Sequence, residues 1–496
     1  MKITDKLFVL VMLVIAWMVF SHISVPIILI WDEAVYANNA VEMFSGGNWW
    51  VLKVDGEPTF YNVKPPLVIW LQSLAMALFG INEFSVRLPS ALAALGTIFL
   101  MYRFSVKALG SPWIGLLASI TLILSEGYFR YHVVRTADLD GVLVFFVCWY
   151  TLTYVSFLLD KEDTSLRGTL IKTTILVFLA FMAKSYAGLM PVPGLVLATL
   201  WSTKRSLILR SKYLYQCACG LVVAVVLYYL FKEIAQPGYF ASVYHSEFRR
   251  LYANVMPWQN HPFGFYFRNW FSRPSYSPFI YFVLASPILF IKNWPVKPKV
   301  RQFILFGLLW SLGYFLIIST PIVKLSWYDA PLYPVFSLIT AVVLVSIIQI
   351  IQRFDLPGLI KWILIIGLLF PVYYGPIART YKKLVTIPEL KEQEKPGDFM
   401  RRLEKEDSPY RSFTVIYSPP YLFDEHLDQI RFYQKKLNLE RNYRIDIQKT
   451  LSNIGVADTI LTCQQSKVDS LEALYEIKVL EKNESCGLLY LMGPQQ

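Results

Sequence analysis

About eleven apolar runs of membrane-crossing or nearly membrane-crossing length recur along this chain, and they leave little else for it to fold into. A transmembrane helix needs roughly 20 mostly apolar residues in succession. The runs lie near 7–24, 87–107, 112–128, 140–159, 169–184, 187–201, 214–234, 276–292, 302–319, 328–350 and 357–375. Those at 169–184 and 187–201 are short for full spans and are expected to be tilted, broken or packed against other helices. The composition agrees: 17% of the 496 residues are charged, against about 25% in soluble domains, and mean hydropathy is +0.44. The expected fold class is an all-α membrane protein. Disordered and fibrous chains are excluded and a soluble enzyme is disfavoured. The net charge of +12 does not point to nucleic acid, because the basic residues are scattered among short loops and form no single patch. Five cysteines are too few for a disulfide scaffold, and no CxxC or Cys/His cluster marks a zinc site.

Charge sets the direction of the spans. With the N-terminus in the cytoplasm, the loops on that side carry Arg103 and Lys107; Lys161, Arg167 and Lys172; Lys204, Arg205, Arg210 and Lys212; Lys292, Lys297, Lys299 and Arg301; then Arg353 and Lys361. These loops are short and densely positive, so every crossing obeys the positive-inside rule. The first run, opened by Lys2 and Lys6, reads as a span. A cleaved signal peptide is the alternative, but no clear small-residue cleavage site follows and many spans do. Two domains are expected, a transmembrane domain over 1–375 and an extracytoplasmic one over 376–496. The second opens with a charged linker and then alternates short apolar runs with amphipathic stretches, the pattern of a small α/β domain. Cys463 and Cys486 lie in this tail, in an oxidising compartment, which leaves a disulfide between them open. Cys148, Cys217 and Cys219 fall in spans, where packing accounts for them.

Charged residues near a span are costly and ask for a reason. Here they gather in the outer loops. The first, about 25–86, holds Asp32 and Glu33 at the start of one short helix, and Lys64-Pro65-Pro66 ahead of a second. The prolines disfavour helix at the residues before them, so the second helix starts about there. Both helices are expected to lie along the membrane surface. The second outer loop brings His132, Arg135, Asp138 and Asp140, and a short turn brings Lys184. The long loop 235–275 holds His245, Glu247, Arg249, Arg250, His261 and Arg268, and the last loop holds Lys324, Tyr328 and Asp329. Lys and Arg side chains neutralise a lipid phosphate at the membrane surface, and a carboxylate beside them can accept a proton from an attacking hydroxyl. Taken singly, these residues have plainer readings. Asp32, Glu33, Asp138 and Asp140 suit helix caps or first turns, and Lys184 and Lys324 suit snorkelling from helix ends. The weight rests on the whole set sharing one side.

The segments "DEAVYA", "KPPLVIW", "RLPSALAAL", "HVVRTADLDGVLVFF", "AKSYAG" and "KLSWYDAPLYP", in that order over roughly 30–375, resemble the polyprenyl-phosphate-dependent glycosyltransferases of the glycosyltransferase-C superfamily. Within it they look most like the branch holding protein O-mannosyltransferases and the lipid A aminoarabinose transferase. The resemblance implies a bundle of many transmembrane helices with surface helices in the first outer loop. It also implies transfer of a sugar from a polyprenyl monophosphate carrier to an acceptor on the outer face. The leading expectation is an inverting transferase with a lipid, glycan or protein acceptor, and the short chain without large inserted luminal domains favours a bacterial inner membrane. Asp32, with Glu33 beside it, matches the first-loop acid, which in such enzymes is catalytic or shapes the acceptor pocket. Lys64 matches the lysine that approaches the carrier phosphate, Lys324 and Tyr328 match a segment lining the donor site, and Asp138 and Asp140 match acids of the second outer loop. Aminoarabinose transferases carry a glutamate before the Lys-Pro-Pro lysine and an arginine two residues after the Asp-Glu pair, where this chain has Val63 and Val35. The glutamate is linked to metal binding, so a divalent cation is left open, and the lost arginine makes Arg135, Arg249 and Arg250 the candidates to replace it. A transporter of polyprenyl-linked sugar and a scaffold with a degenerate site are the rival readings.

Overall fold

A computed structural model of the chain describes residues 3–129, 132–160, 165–252, 257–272, 275–292, 294–386, 389–418, 427–451 and 453–495. Of the loop cations that orient the spans, Lys161 lies outside the described residues. The chain divides into two compact units. One comprises Met1–Ser21, Thr59–Val68 and Pro89–Thr386, and the other His22–Pro58, Ile69–Leu88 and Ile387–Gln496.

Among the described residues, eight helices are long and apolar enough to cross a membrane: Ile3–Phe20, Glu83–Lys107, Asp140–Leu159, Leu166–Gly188, Lys212–Ala235, Pro298–Ser319, Leu332–Arg353 and Gly358–Val385. Three more expected spans are present as the shorter apolar helices Pro112–Leu124, Val192–Trp201 and Ile280–Phe290. At about 1.5 Å per residue, these fall well short of the roughly 30 Å hydrocarbon core. Prolines account for part of the shortening: Pro191 and Pro193 delay the second, and Pro278 and Pro287 bracket the start and end of the third. The helix Lys212–Ala235 leaves Val222, Val223, Leu227, Phe231 and Ile234 exposed, an apolar surface that suits lipid rather than water. The chain is an integral membrane protein.

Within the first unit the helix Leu332–Arg353 is central. Every residue from Leu332 to Ser346 is buried, and it packs on Pro112–Leu124 and Pro298–Ser319. Pro298–Ser319 also meets Val192–Trp201 closely, because Gly313 and Gly194 face one another; a Cβ added at Gly313 would lie 2.8 Å from the Gly194 Cα. Asp140–Leu159 and Leu166–Lys184 form an adjacent pair.

The second unit contains the expected α/β tail, but it also takes up 22–58 and 69–88 from the first outer loop. A small hairpin pairs β1 (Lys53–Val54) with β2 (Glu57–Pro58). The larger sheet joins β3 (Ser412–Ile416), β4 (Arg444–Gln448), β5 (Thr459–Thr462), β6 (Tyr475–Lys482) and β7 (Gly487–Pro494) in the order β4-β3-β5-β7-β6. β3 runs parallel to β4 and β5, whereas β7 is antiparallel to β5 and β6. Ile416, Ile460, Leu471, Leu489 and Leu491 form its buried core. Cys463 and Cys486 flank the paired residues Thr462 and Gly487 and are joined by a disulfide.

The first-loop helix Asp32–Phe44 is buried along most of its length. It packs on the tail helix Asp428–Arg441, where the Asn38 amide donates to the Asp428 carbonyl at 2.6 Å. Lys435 pairs with Glu42 at 2.6 Å and with Asp55 at 3.1 Å. Tyr433 accepts from the Ile28 amide at 3.1 Å and donates to Glu83 at 2.7 Å. The expected boundary at 375 separates segments that fold together.

The disulfide gives a direct test. Three cysteines are free among the described residues, Cys148, Cys217 and Cys219. In denatured, unreduced membranes a maleimide-polyethylene glycol reagent is expected to add to three thiols, and after reduction to all five. Five additions without reductant would refute the bond.

Candidate active site

In the first unit the polar residues are organised by one break, between the helix Leu166–Lys184 and the 3₁₀ turn Ser185–Gly188. Ser185 has φ 53°, a left-handed conformation that a residue with a side chain adopts at a cost. Gly188 sets the turn directly against the Ala180 backbone, where any Cβ would collide. With the backbone held this way, neighbouring side chains reach two different acids. Lys184 Nζ donates to Asp140 Oδ2 at 2.5 Å. Ser185 Oγ donates to Glu247 Oε2 at 2.7 Å and lies 2.9 Å from the Tyr229 hydroxyl. The other oxygen of Glu247 accepts from Lys64 Nζ at 2.5 Å. The Glu247 side chain is wholly buried, whereas Lys64 keeps 24% of its side chain exposed.

Each member is placed by its local sequence. The Asn62 side chain accepts from the Lys64 amide at 3.1 Å, and the carbonyl of buried Val63 accepts from the Tyr239 hydroxyl at 2.7 Å. The two prolines then hold helix off until Leu67, where Leu67–Phe79 begins. Glu247 sits on Tyr244–Arg249, which winds as a π-helix, a turn frequent at functional sites. Aromatic rings flank both lysines: Lys64 Nζ lies 5.7 Å from the Tyr186 ring centre, and Lys184 Nζ lies 5.5 Å from that of Tyr328.

A second acid stands beside the first. His132 has φ 74° and is held there by three contacts. Its ring stacks on Trp327 with centres 3.6 Å apart, its Nδ1 lies 2.9 Å from Asp138 Oδ1, and its amide donates to the Thr136 hydroxyl at 2.8 Å. That hydroxyl donates to the other Asp138 oxygen. Burial alone would push the Asp138 carboxyl up, but His132, Thr136 and the Lys184 charge outweigh it and hold the group below the usual carboxylate range.

Other residues singled out in the sequence are engaged by the fold. Lys324 is 2% exposed and donates to the backbone carbonyls of His261, at 2.9 Å, and Pro321. Burial lowers its pKa. Arg135 donates to the Ser21 carbonyl at 2.8 Å and lies 5.5 Å from the Phe129 ring. Arg250 reaches the Gln259 side chain at 3.3 Å, and exposed Arg249 lies 3.4 Å from His245. The Tyr328 carbonyl accepts from the Tyr314 hydroxyl at 2.7 Å.

Asp32 and Glu33 belong to the second unit. Asp32 opens its helix and is half-buried. Glu33 accepts from Arg87 Nε at 2.7 Å and Nη2 at 3.0 Å, and from the Leu29 amide at 2.7 Å. Arg87 also donates to the carbonyls of Ile23, Pro26 and Ile27, and both side chains of the pair are 1% exposed. Sequence reasoning gave Arg87, Ser185, Tyr229 and Glu247 no role at the site. Arg87 lies in "RLPSALAAL" and Ser185 in "AKSYAG", so both stood inside motifs; Glu247 was one charge among many in a long loop. Val63, which stands before Lys64 and is set against a glutamate in the resemblance, offers no side chain that could ligate a cation.

Two outcomes follow. Truncating one partner of a buried ion pair costs about 3–5 kcal/mol, so Arg87→Ala should lose monodisperse protein in size-exclusion chromatography, whereas Asp32→Asn should not. Asp329 is buried and accepts from Trp270 Nε1 at 2.8 Å, and burial raises its carboxyl to about 7. The unfolded chain releases this proton near pH ~4, so the group's contribution to stability falls as pH rises from there to about 7. Asp329→Asn should remove that part of the decline in thermal midpoint; an unchanged profile would refute it.

The family model described as dolichyl-phosphate-mannose-protein mannosyltransferase matches residues 63–230. An uncharacterised protein of Aquifex aeolicus is 27% identical over 340 residues, 68% of this chain and 63% of that one. The undecaprenyl phosphate-α-4-amino-4-deoxy-L-arabinose arabinosyl transferase of Shewanella sediminis is 27% identical over 327 residues, 64% of this chain and 55% of the relative. The chain thus spans less than two thirds of the length of either relative. In fold it resembles ArnT from Cupriavidus metallidurans, solved bound to undecaprenyl phosphate, with a TM-score of 0.68 at 16% identity over 99% of both chains. The resemblance expected from the motifs, to polyprenyl-phosphate glycosyltransferases of the aminoarabinose and mannosyl type, is the one these comparisons find.

Proposed function

We propose that this chain is an inverting membrane glycosyltransferase that moves a sugar from a polyprenyl monophosphate to an acceptor at the outer face of a bacterial inner membrane. One observation carries the reading. Lys64 and Lys184 are each held at 2.5 Å by a buried carboxylate, and the adjacent residues Lys184 and Ser185 tie the two pairs together. A phosphate can take the place of a carboxylate on either ammonium. The fold likeness to a transferase solved with undecaprenyl phosphate supports the same ligand class.

In the reaction the acceptor oxygen attacks the anomeric carbon while the bond from that carbon to the phosphate oxygen breaks. The bonding pair leaves with the carrier phosphate. Lys64 and Lys184 stabilise the charge that develops there, and a single displacement inverts the anomeric centre. The hydroxyl proton passes to a carboxylate. Asp32 is assigned this task on its match to the first-loop acid, and Glu33, bound to Arg87, positions that segment. Asp138, Asp140, Ser185 and Glu247 hold the cations in place, while Lys324 fixes the loop that carries Tyr328. The positive-inside pattern and the Cys463–Cys486 disulfide support an outer, oxidising location for this chemistry.

The test uses radiolabelled polyprenyl-phosphate sugar with membranes of a producing strain. Wild type should release free polyprenyl phosphate as label enters the acceptor. Lys64→Gln should lower kcat/KM by roughly a hundredfold or more, and Asp32→Asn should abolish transfer at unchanged expression. Transfer by Asp32→Asn at the wild-type rate would reject its role, and movement of intact donor across vesicles without bond cleavage would favour a transporter.

A further inference from the structure

The first unit carries a cavity at the opposite end of the helices that flank Lys324 and Tyr328. Lys324 and Tyr328 lie between the C-terminal end of Pro298–Ser319 and the N-terminal end of Leu332–Arg353. The cavity lies at the other ends of the same two helices, about 33 Å away along 22 residues. Its volume is about 750 Å³, and three segments close it: Leu109–Ser111 with Ile114, Trp294–Lys297 with Val300, and the last turns of the helix from Val342 to Arg353.

The lining has two characters. Ile114, Val300, Val342 and Val345 make an apolar wall, while Ser111, Ser346, Gln349, Gln352, Lys297 and Arg353 supply polar groups and two positive charges. Among the described residues no carboxylate lines it. Among the described residues neither Lys297 nor Arg353 has an ion-pair partner, whereas Lys64 and Lys184 each have one. The mouth is built rather than loose. The Trp294 indole donates to the Ser346 hydroxyl at 3.3 Å, Arg301 donates to the Trp294 carbonyl at 2.9 Å, and the Ser111 side chain caps the helix Pro112–Leu124. Lys107 at the end of Glu83–Lys107, Lys292 in the loop before Trp294, and Lys299 in the first turn of Pro298–Ser319 belong to the segments that the charge bias assigns to the cytoplasm.

From this we infer that the cavity binds the headgroup of an anionic membrane phospholipid, the phosphodiester on Lys297 and Arg353 and the upper acyl chain along the valine wall. Basic pockets between transmembrane helices on the cytoplasmic side suit such headgroups. The ligand is a constitutive lipid of the inner leaflet, and the site stands apart from the residues proposed for sugar transfer.

Native mass spectrometry of the detergent-purified chain tests this independently of any transfer activity. With added phosphatidylglycerol, wild type should retain lipid adducts, and the double variant Lys297→Gln/Arg353→Gln should lose roughly tenfold in apparent affinity. A second variant, Lys212→Gln, removes one positive charge from the start of Lys212–Ala235, outside the lining and on the same expected cytoplasmic side, and should keep wild-type adducts. Equal retention of phosphatidylcholine, or equal adducts in wild type and the double variant, would overturn the site. Displacement of phosphatidylglycerol by millimolar inorganic phosphate would overturn the lipid assignment and give the pocket to a soluble phosphate.

Discussion

The arrangement of the first unit depends on one constraint: an ammonium or carboxylate at a membrane boundary is costly unless its counterion arrives with it. The turn after Leu166–Lys184 meets that demand twice with two consecutive residues. Lys184 takes Asp140 from the start of the next-door helix, and Ser185 takes Glu247 from the long outer loop, which brings Lys64 with it. Three chain segments distant in sequence are locked by one left-handed serine. Both ammonium groups are therefore already balanced by a buried carboxylate.

The same geometry bears on one difference from the aminoarabinose transferases that the chain resembles. The glutamate that aminoarabinose transferases carry next to the Lys-Pro-Pro lysine is Val63 here, buried beside Tyr239 and Val243. A carboxylate nevertheless sits 2.5 Å from Lys64, supplied by Glu247. The counter-charge comes from an element distant in sequence, where a π-helical turn presents it.

Much of this was legible in the sequence because hydropathy and charge are local signals. The long spans coincide with helices to within a few residues in most cases, the helix after Lys-Pro-Pro starts at Leu67, and the tail is a mixed sheet with helices. The short helices were harder, because Pro191, Pro193, Pro278 and Pro287 interrupt runs whose mean hydropathy stays high. The partners of the charged residues were not legible. Nothing in the local pattern joins Lys64 to Glu247, 183 residues away, or distinguishes Glu33, tied to Arg87, from Asp32. Lys324 looked like a free cation because its partners are backbone carbonyls, which every residue offers. The union of the first outer loop with the tail was invisible for the same reason: it rests on contacts such as Asn38 to Asp428, with no periodicity to announce them.

That union sets an order of events during synthesis. The loop bearing Asp32 emerges early, yet the helix on which it packs lies 390 residues further along the chain. Until Asp428–Arg441 has been made, the Asp32 helix lacks the surface that buries it, and the ion pairs of Lys435 with Glu42 and Asp55 cannot close. A growing chain therefore carries the spans up to Gly358–Val385 before its first outer loop can be finished. Loss of Asp428–Arg441 would strip the packing surface from a segment some 390 residues earlier.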